Sequence, residues 1–233
     1  MNNNYQVRIK LSIKEINKIE WDNIYQDNNI PFYEYYWLEN LENSMSVSRE
    51  TGWQPLYFIA YLNNELHAIA PLFLKNHSYG EFIFDQSFAR LAQDLNLNYY
   101  PKLIGMSPYS PIEGYQFFYK SNSNKLEITK TIINSIEAFA IKNNILSCNF
   151  LYVNNDWGNL LKELGYSFWL NIRSEWEKNK EKDFEDFLSR FNSNQRKNIK
   201  KERKSIIKQQ ITIKTFIEDK IDNKIISKMH YFY

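Results

Sequence analysis

Leu56-Tyr-Phe-Ile-Ala-Tyr-Leu62 and Leu66-His-Ala-Ile-Ala-Pro-Leu-Phe-Leu74 are two apolar runs of strand length, separated by Asn63-Asn64. Asparagine tolerates the left-handed backbone that tight hairpins need, so the spacing predicts an antiparallel hairpin with a short loop. Outward from it, Tyr5 to Leu11 alternates as a first strand, and Ser12 opens a short helical turn. Phe32 to Met45 carries Tyr36, Trp37, Leu38 and Leu41 at near-helical spacing and ends before Thr51-Gly52. Beyond the hairpin, Glu81 to Asp85 reads as a third strand, Ser87 to Leu95 as a helix and Tyr99 to Met106 as a fourth strand. A proline-rich loop, Ser107 to Gly114, follows.

The strongest helical signal is Lys125 to Asn143. Asn124 can cap it, Glu127 stands at the capping-box position, and Ile128, Ile132, Ile136, Phe139 and Ala140 make one stripe. Then come a buried strand (Leu146 to Val153), a helix (Asp156 to Leu164) closed by Gly165, and a strand (Phe168 to Trp176). Composition shifts after Trp176. Phe184 to Phe191 and Ser193 to Lys208 read as helices, Ile211 to Ile217 as a strand, and Ile221 to Tyr233 as a further helix. The order is strand, helices, an antiparallel run, long helix, strand, helix, strand. It predicts an α/β fold with a mixed, largely antiparallel sheet rather than strict βαβ winding. The expected division is 1–182 for this domain and 183–233 for a basic connecting helix leading into an incomplete second one. That last part carries Ile211, Ile213, Phe216, Ile225, Ile226, Met229 and Phe232, and is expected to expose apolar surface and promote association.

A chain of 233 residues with 43% hydrophobic residues can bury a core without disulfides or metal. Tyr (17) and Phe (16) make that core or a cleft rich in aromatic rings, and Trp37 and Trp53 belong to it. Net charge is +2, so only local clustering can speak for a nucleic-acid partner. Cys148 is the single cysteine and reads as a small core hydrophobe. With no disulfide framework, no signal-peptide pattern and no membrane-length apolar run, a cytoplasmic protein is expected. His67, His77 and His230 lack metal-ligand spacing, and no P-loop, GxGxxG or GxSxG occurs.

Three blocks carry chemistry: Trp53-Gln54-Pro55, His77-Ser78-Tyr79-Gly80-Glu81-Phe82-Ile83-Phe84-Asp85, and Tyr99-Tyr100-Pro101-Lys102-Leu103 with Pro108-Tyr109-Ser110-Pro111 after it. Group-transfer chemistry draws on a base, hydrogen-bond donors for a developing anion and cations for phosphate, and these blocks hold such residue types. His77, Glu81 and Asp85 are candidate catalytic groups; Tyr79, Tyr100, Lys102 and Tyr109 are candidate substrate contacts. In an extended strand Glu81 and Asp85 share a face about 13 Å apart, too far for a carboxylate dyad. His77, Tyr79, Glu81, Asp85, Tyr100 and Lys102 are expected to converge on one cleft, in which Glu81→Gln would lower transfer or ligand binding and leave stability nearly unchanged. The bland reading is a tight turn at Gly80 with solvated strand ends.

In Ser193 to Lys208, Arg196, Lys197, Lys200, Lys201, Arg203, Lys204 and Lys208 are seven cations against one acid, Glu202. That run is either a phosphate-binding surface, with Arg196, Lys197, Lys200, Lys201 and Arg203 as its contacts, or a solvated connecting helix.

Gly52-Trp-Gln-Pro, a hairpin ending Ala70-Pro-Leu-Phe-Leu-Lys75, the His77–Asp85 block and Tyr99-Tyr-Pro-Lys-Leu103 stand in the order and spacing of the FemAB-like peptidoglycan biosynthesis family, which the chain resembles. The resemblance resumes at Asp183 to Leu188 and at Arg196 to Arg203. It implies a GNAT-like acyltransferase fold and acyl or aminoacyl transfer to an amine. It also implies acyl-CoA or aminoacyl-tRNA as donor, no permanently bound cofactor, and a small molecule or peptidoglycan precursor as substrate. The chain departs where the family commonly has a His-Trp pair and this sequence has Glu175-Trp176. It also lacks the Gln/Arg-x-x-Gly-x-Gly/Ala loop of ordinary acyl-CoA enzymes. The competing reading is a non-catalytic module that binds RNA or anionic lipid through the basic helix.

Overall fold

Asn63 and Asn64 both lie in the left-handed region, at φ 53° and 63°. They close the hairpin of β2 (Trp53–Leu62) and β3 (Glu65–Lys75), the longest strands among the described residues. In this computed structural model residues 4–26, 28, 30–172, 174–178 and 180–232 are described. They fall into two units, Met1–Trp169 and Leu170–Tyr233.

The first unit is built on a six-stranded sheet. β1 (Gln6–Lys10) pairs with β2, and α1 (Lys18–Tyr25) and α2 (Tyr35–Asn43) lie between them in sequence. After β3 come α3 (Gln86–Asp94), β4 (Lys102–Gly105), β5 (Phe118–Tyr119), α4 (Lys125–Lys142), β6 (Cys148–Phe150) and α5 (Asn155–Glu163). Strand order is β1-β2-β3-β4-β6, with β5 paired to β3; every pairing is antiparallel except β4 with β6. The mixed, largely antiparallel α/β class expected from the sequence is the one observed.

Two sequence choices shape this sheet. Along its outer edge β3 changes partner, from β5 at Ala68 and Ile69 to β4 at Phe73 to Lys75. Pro71 sits in the gap, where a residue without an N–H costs no ladder bond, and its carbonyl accepts from the Tyr115 hydroxyl at 3.0 Å. α4 buries Ile128, Ile132, Ile133 and Ile136, and the Asn124 side chain caps it by accepting from Glu127 N. The core is aromatic, as the composition implied: Trp21 meets Tyr35, Tyr57 and Phe118 edge to face. Trp53 is fully buried and Trp37 half-buried.

Three expected strands are absent. Glu81 to Asp85 is irregular because Gly80 and Phe82 both take positive φ, 79° and 57°, which breaks an extended run. The described residues of 168–176 and of 211–217 form no strand. Alternation alone makes no strand where no sheet edge receives it, and Leu170 and Ile172 stand exposed. The two units divide at Trp169/Leu170.

The second unit contains α6 (Phe184–Ser189), α7 (Ser193–Lys208) and α8 (Asn223–Phe232). A full capping box between Asn192 and Gln195 starts α7. Ile211, Ile213, Phe216, Ile226, Met229 and Phe232 are exposed; Tyr233, included in the expected last helix, lies outside the described residues. No helix among the described residues is long and apolar enough to cross a membrane.

Candidate functional site

β2, β3 and β4 place Trp53 opposite Lys75, and Lys75 opposite Lys102. Directly opposed residues share a face, so one rung across three strands carries an indole and two ammonium groups. All three are buried. Lys75 Nζ lies 3.5 Å from the centre of the Trp53 ring, donates to Tyr79 O at 3.0 Å, and meets His77 Nδ1 at 3.3 Å. Like charges opposed on a sheet repel, and the chain answers this by sending both nearby carboxylates to Lys102 alone.

Lys102 donates to Glu81 Oε2 at 2.7 Å, to Ser78 Oγ at 2.7 Å, and to Asp85 Oδ2. Ser78 gives its own proton to Asp85 at 2.9 Å, so Tyr100, 2.8 Å away, donates to Ser78. Tyr99 donates to Asp85 at 2.7 Å. Glu81 and Lys102 are each 1% exposed. The sequence reading of two separated carboxylates on one strand face is therefore overturned: once the strand is broken at Phe82, both reach the same ammonium. The carboxylates do not line an open cleft here, because both are buried, Glu81 at 1% and Asp85 at 5% exposure.

The two acids differ in proton affinity for a visible reason. Burial pushes the Glu81 carboxyl above its ordinary range, and its bond to Lys102 compensates only in part. Its other oxygen, Oε1, is buried without a partner among the described residues. Burial also pushes Asp85 upward, but three donors, Lys102, Tyr99 and Ser78, overcome it and leave its carboxyl below the usual value. Burial lowers the Lys75 amine to about 7; Glu81 holds it up somewhat, while the Lys102 charge pushes it further down.

The other block residues lock the loops around this network. His77 Nε2 donates to Thr51 O at 2.9 Å, leaving Nδ1 to accept from Tyr79 N at 3.2 Å. The ring covers Gly52, at φ 71°, where a Cβ would come within 2.5 Å of Nε2. Gly80 is covered in the same way by the Tyr109 ring, at 2.7 Å from a would-be Cβ. Tyr109 packs 5.2 Å from Trp53 and donates to Ser46 O at 2.8 Å. Tyr79 projects outward, 81% exposed. Phe82, Tyr109 and Tyr152 all have φ between 53° and 57°, and the Tyr152 hydroxyl donates to Glu81 O at 2.9 Å. Non-glycine residues in that region store strain, and here three of them surround one loop. Gly52→Ala should destabilise the protein by about 2 kcal/mol or more, through strain and displacement of His77. Thermal unfolding checks this; a midpoint within a degree of the parent would show that the His77 ring yields freely.

Of the predicted site residues, Glu81, Asp85 and Lys102 thus meet directly, Tyr100 joins them through Ser78, and His77 lies beside them against Lys75. Tyr79 projects to solvent, and Tyr109 lies beside the network, packed on Trp53 and over Gly80. Sequence reasoning passed over Lys75, Ser78 and Tyr99. The signal for Lys75 is its register opposite Lys102, which only the pairing reveals.

In the second unit α7 divides its charges. Arg196 donates to Phe191 O at 2.7 Å in the turn after α6, Lys200 pairs with Glu185 at 2.8 Å, and Arg203 lies 3.9 Å over the Phe184 ring, so these three hold α6 and the turn that follows it. Lys197, Lys201, Lys204 and Lys208 are exposed and, among the described residues, unpaired. Their spacing of four, three and four puts them on one face, spanning about 16 Å at 1.5 Å per residue. Two of the five predicted phosphate contacts, Lys197 and Lys201, therefore lie on an open stripe, and the other three serve internal packing. Trp176, beside Glu175, packs edge-on to Phe187 at 6.2 Å.

Fold and site define a largely antiparallel α/β domain organised around a buried lysine–carboxylate network, followed by a basic helical unit. The chain belongs to the FemAB-like family, described as peptidoglycan biosynthesis/recognition, whose sequence model matches residues 12–233. No curated protein matches it. Among solved structures it is similar to a predicted acetyltransferase with acetyl-CoA from Clostridium acetobutylicum, at 13% identity and TM-score 0.44, over 72% of this chain and 96% of that one. It is similar, too, to a ribosomal-protein-alanine N-acetyltransferase from Brucella melitensis biovar Abortus, at 8% identity and TM-score 0.44, over 74% and 99%. A third is an aminoglycoside acetyltransferase from an uncultured soil metagenomic sample in complex with trehalose, at 10% identity and TM-score 0.44, over 77% and 99%.

Proposed function

We propose that this protein transfers an acyl or aminoacyl group to an amine in peptidoglycan-related metabolism, using a phosphate-bearing donor. The observation that carries the reading is the family match across residues 12–233. Within it the roles of the block residues change. Glu81 and Asp85 act as positioning residues: they neutralise Lys102 and, through Ser78, Tyr99 and Tyr100, fix the loops that frame the unit. His77 already spends both ring nitrogens on the loop, which suits an anchor better than a base.

Two donors are in question. The pyrophosphate of an acyl-CoA favours free N–H groups at a helix N-terminus. At α4 the Asn124 side chain occupies one of them, and Glu127 places a negative charge in the first turn. A phosphate-rich carrier such as aminoacyl-tRNA suits the lysine stripe of α7 better. The test is to supply the whole chain with acyl-CoAs and with aminoacyl-tRNA, plus an amine acceptor, and to look for the amide by mass spectrometry. Amide formed only from aminoacyl-tRNA is expected.

The second reading, a binding module without transfer, is favoured by the open stripe itself. RNA binding with no amide from either donor would establish it. Four phosphate contacts give a plot of log K against log salt with a slope of about −3, and each Lys→Ala change at 197, 201, 204 or 208 should reduce the slope by about 1. Arg196→Ala and Arg203→Ala should instead destabilise the α6–α7 packing. Equal slopes in all variants would remove the stripe from consideration.

A further inference from the structure

Tyr99 and Tyr100 turn their hydroxyls inward, to Asp85 and Ser78, and their rings meet edge to face at 4.9 Å. The Lys102 ammonium lies 5.4 and 5.7 Å from the two ring centres on the inner side. The rings are thus held from behind, and their free surfaces form one wall of an open groove of about 730 Å³. That volume lies within the usual range of small-ligand sites. The opposite wall is α3, which presents Gln86, Arg90 and Gln93 at spacings of four and three, with Ala89 as the small residue between them. Asn96 and Asn98 continue the lining on the returning segment.

The composition of this lining is selective. Carboxamides offer a donor and an acceptor together, as a sugar hydroxyl does. Half-buried aromatic rings whose polar ends are already spent offer flat apolar surface to the C–H face of a pyranose. Arg90 is the one charged side chain in the lining, so a polyphosphate finds a single cation where α7 offers a stripe. A buried apolar ligand would leave four amide side chains unsatisfied.

We propose that the groove between α3 and Asn96–Tyr100 is a saccharide-binding site, with the sugar stacked on Tyr99 and Tyr100 and bound by the amides of Gln86, Gln93 and Asn98. Arg90 accommodates a carboxylate where the sugar carries one. The network behind the tyrosines then keeps the aromatic wall rigid, so little ordering is left for the ligand to impose. The site does not depend on transfer chemistry, and binding would stand if no transfer were found.

The test is an NMR titration of the whole chain with three probes: the N-acetylglucosamine trimer, a hyaluronan tetrasaccharide whose alternate rings carry carboxylates, and inorganic phosphate. Saturable shifts in the side-chain amides of Gln93 and Asn98 are expected with one or both saccharides at millimolar concentrations. Stronger binding of the tetrasaccharide would assign Arg90 its role, and equal binding would confine the site to neutral contacts. Gln93→Ala/Asn98→Ala, both solvent-exposed positions, should weaken binding about tenfold or more with the fold intact. Ala89→Trp should abolish it by filling the floor. The proposal is overturned if neither saccharide shifts these amides, if phosphate alone does, or if the double variant binds as the parent does.

Discussion

Lys102→Met should destabilise the protein by about 3–5 kcal/mol, the usual cost of removing one partner from a buried ion pair. The change leaves Glu81 and Asp85 facing each other in an interior where Glu81 already lacks a partner for Oε1. For a chain of this size the unfolding midpoint should fall by roughly 10 °C. Replacing all three residues together, as Lys102→Met/Glu81→Gln/Asp85→Asn, should recover much of the loss, because the charges that need one another leave together. Glu81→Gln alone keeps the Lys102–Asp85 pair and removes a carboxylate whose burial is costly, so its effect should be far smaller than that of Lys102→Met. Urea titration of the four proteins decides the matter. A Lys102→Met variant within 1 kcal/mol of the parent would mean that the network is hydrated and soft.

The second large effect is on pH. In the folded protein the Lys75 amine titrates at about 7, below its ordinary 10.5. Between those values the unfolded chain holds a proton that the native state has released, so stability rises with pH across that window. Below pH 7 both states are protonated and the cost of burying the ammonium is borne in full; above 10.5 it is gone. The slope should approach, without exceeding, about 1.4 kcal/mol per pH unit. Glu81 works the other way in a different window: its raised carboxyl makes stability fall as pH climbs from 4.5 toward its folded value. Asp85, lowered, contributes stability that is present above 3.8 and lost as pH falls below it. Lys75→Met should therefore be more stable than the parent at pH 6 and should flatten the profile from 7 to 10. An unchanged slope in that variant would show that another group titrates there.

Much of the fold was legible because its signals are local. The hairpin announces itself through two apolar runs and an Asn-Asn turn, and α4 through a cap and an isoleucine stripe. What stayed hidden depends on distant partners. Glu81 to Asp85 alternates as a strand should, yet Lys102, twenty-one residues beyond Glu81, draws both carboxylates together, and a left-handed Phe82 lets it do so. Phe168, Leu170 and Ile172 have strand periodicity with no edge to receive them. The site was legible as a set of residue types in the right blocks; its burial was not. A lysine that ends an apolar strand reads as solvated, and only the register of β3 with β4 shows Lys75 facing a second lysine. The seven cations of α7 were visible as a run, whereas their division into packing and open stripes required the position of α6.

The rings that lie over Gly52 and Gly80 tie together stretches of sequence far apart along the chain. A side chain at residue 52 has no room unless His77 shrinks, and one at residue 80 has none unless Tyr109 does. Trp53 touches both the ammonium of Lys75 and the ring of Tyr109. A change at any of these positions is unfavourable until a second has changed, so single steps are blocked and the set has to be inherited as a block. In related chains these positions are expected to vary in concert, with small residues at 77 or 109 wherever 52 or 80 has gained a side chain.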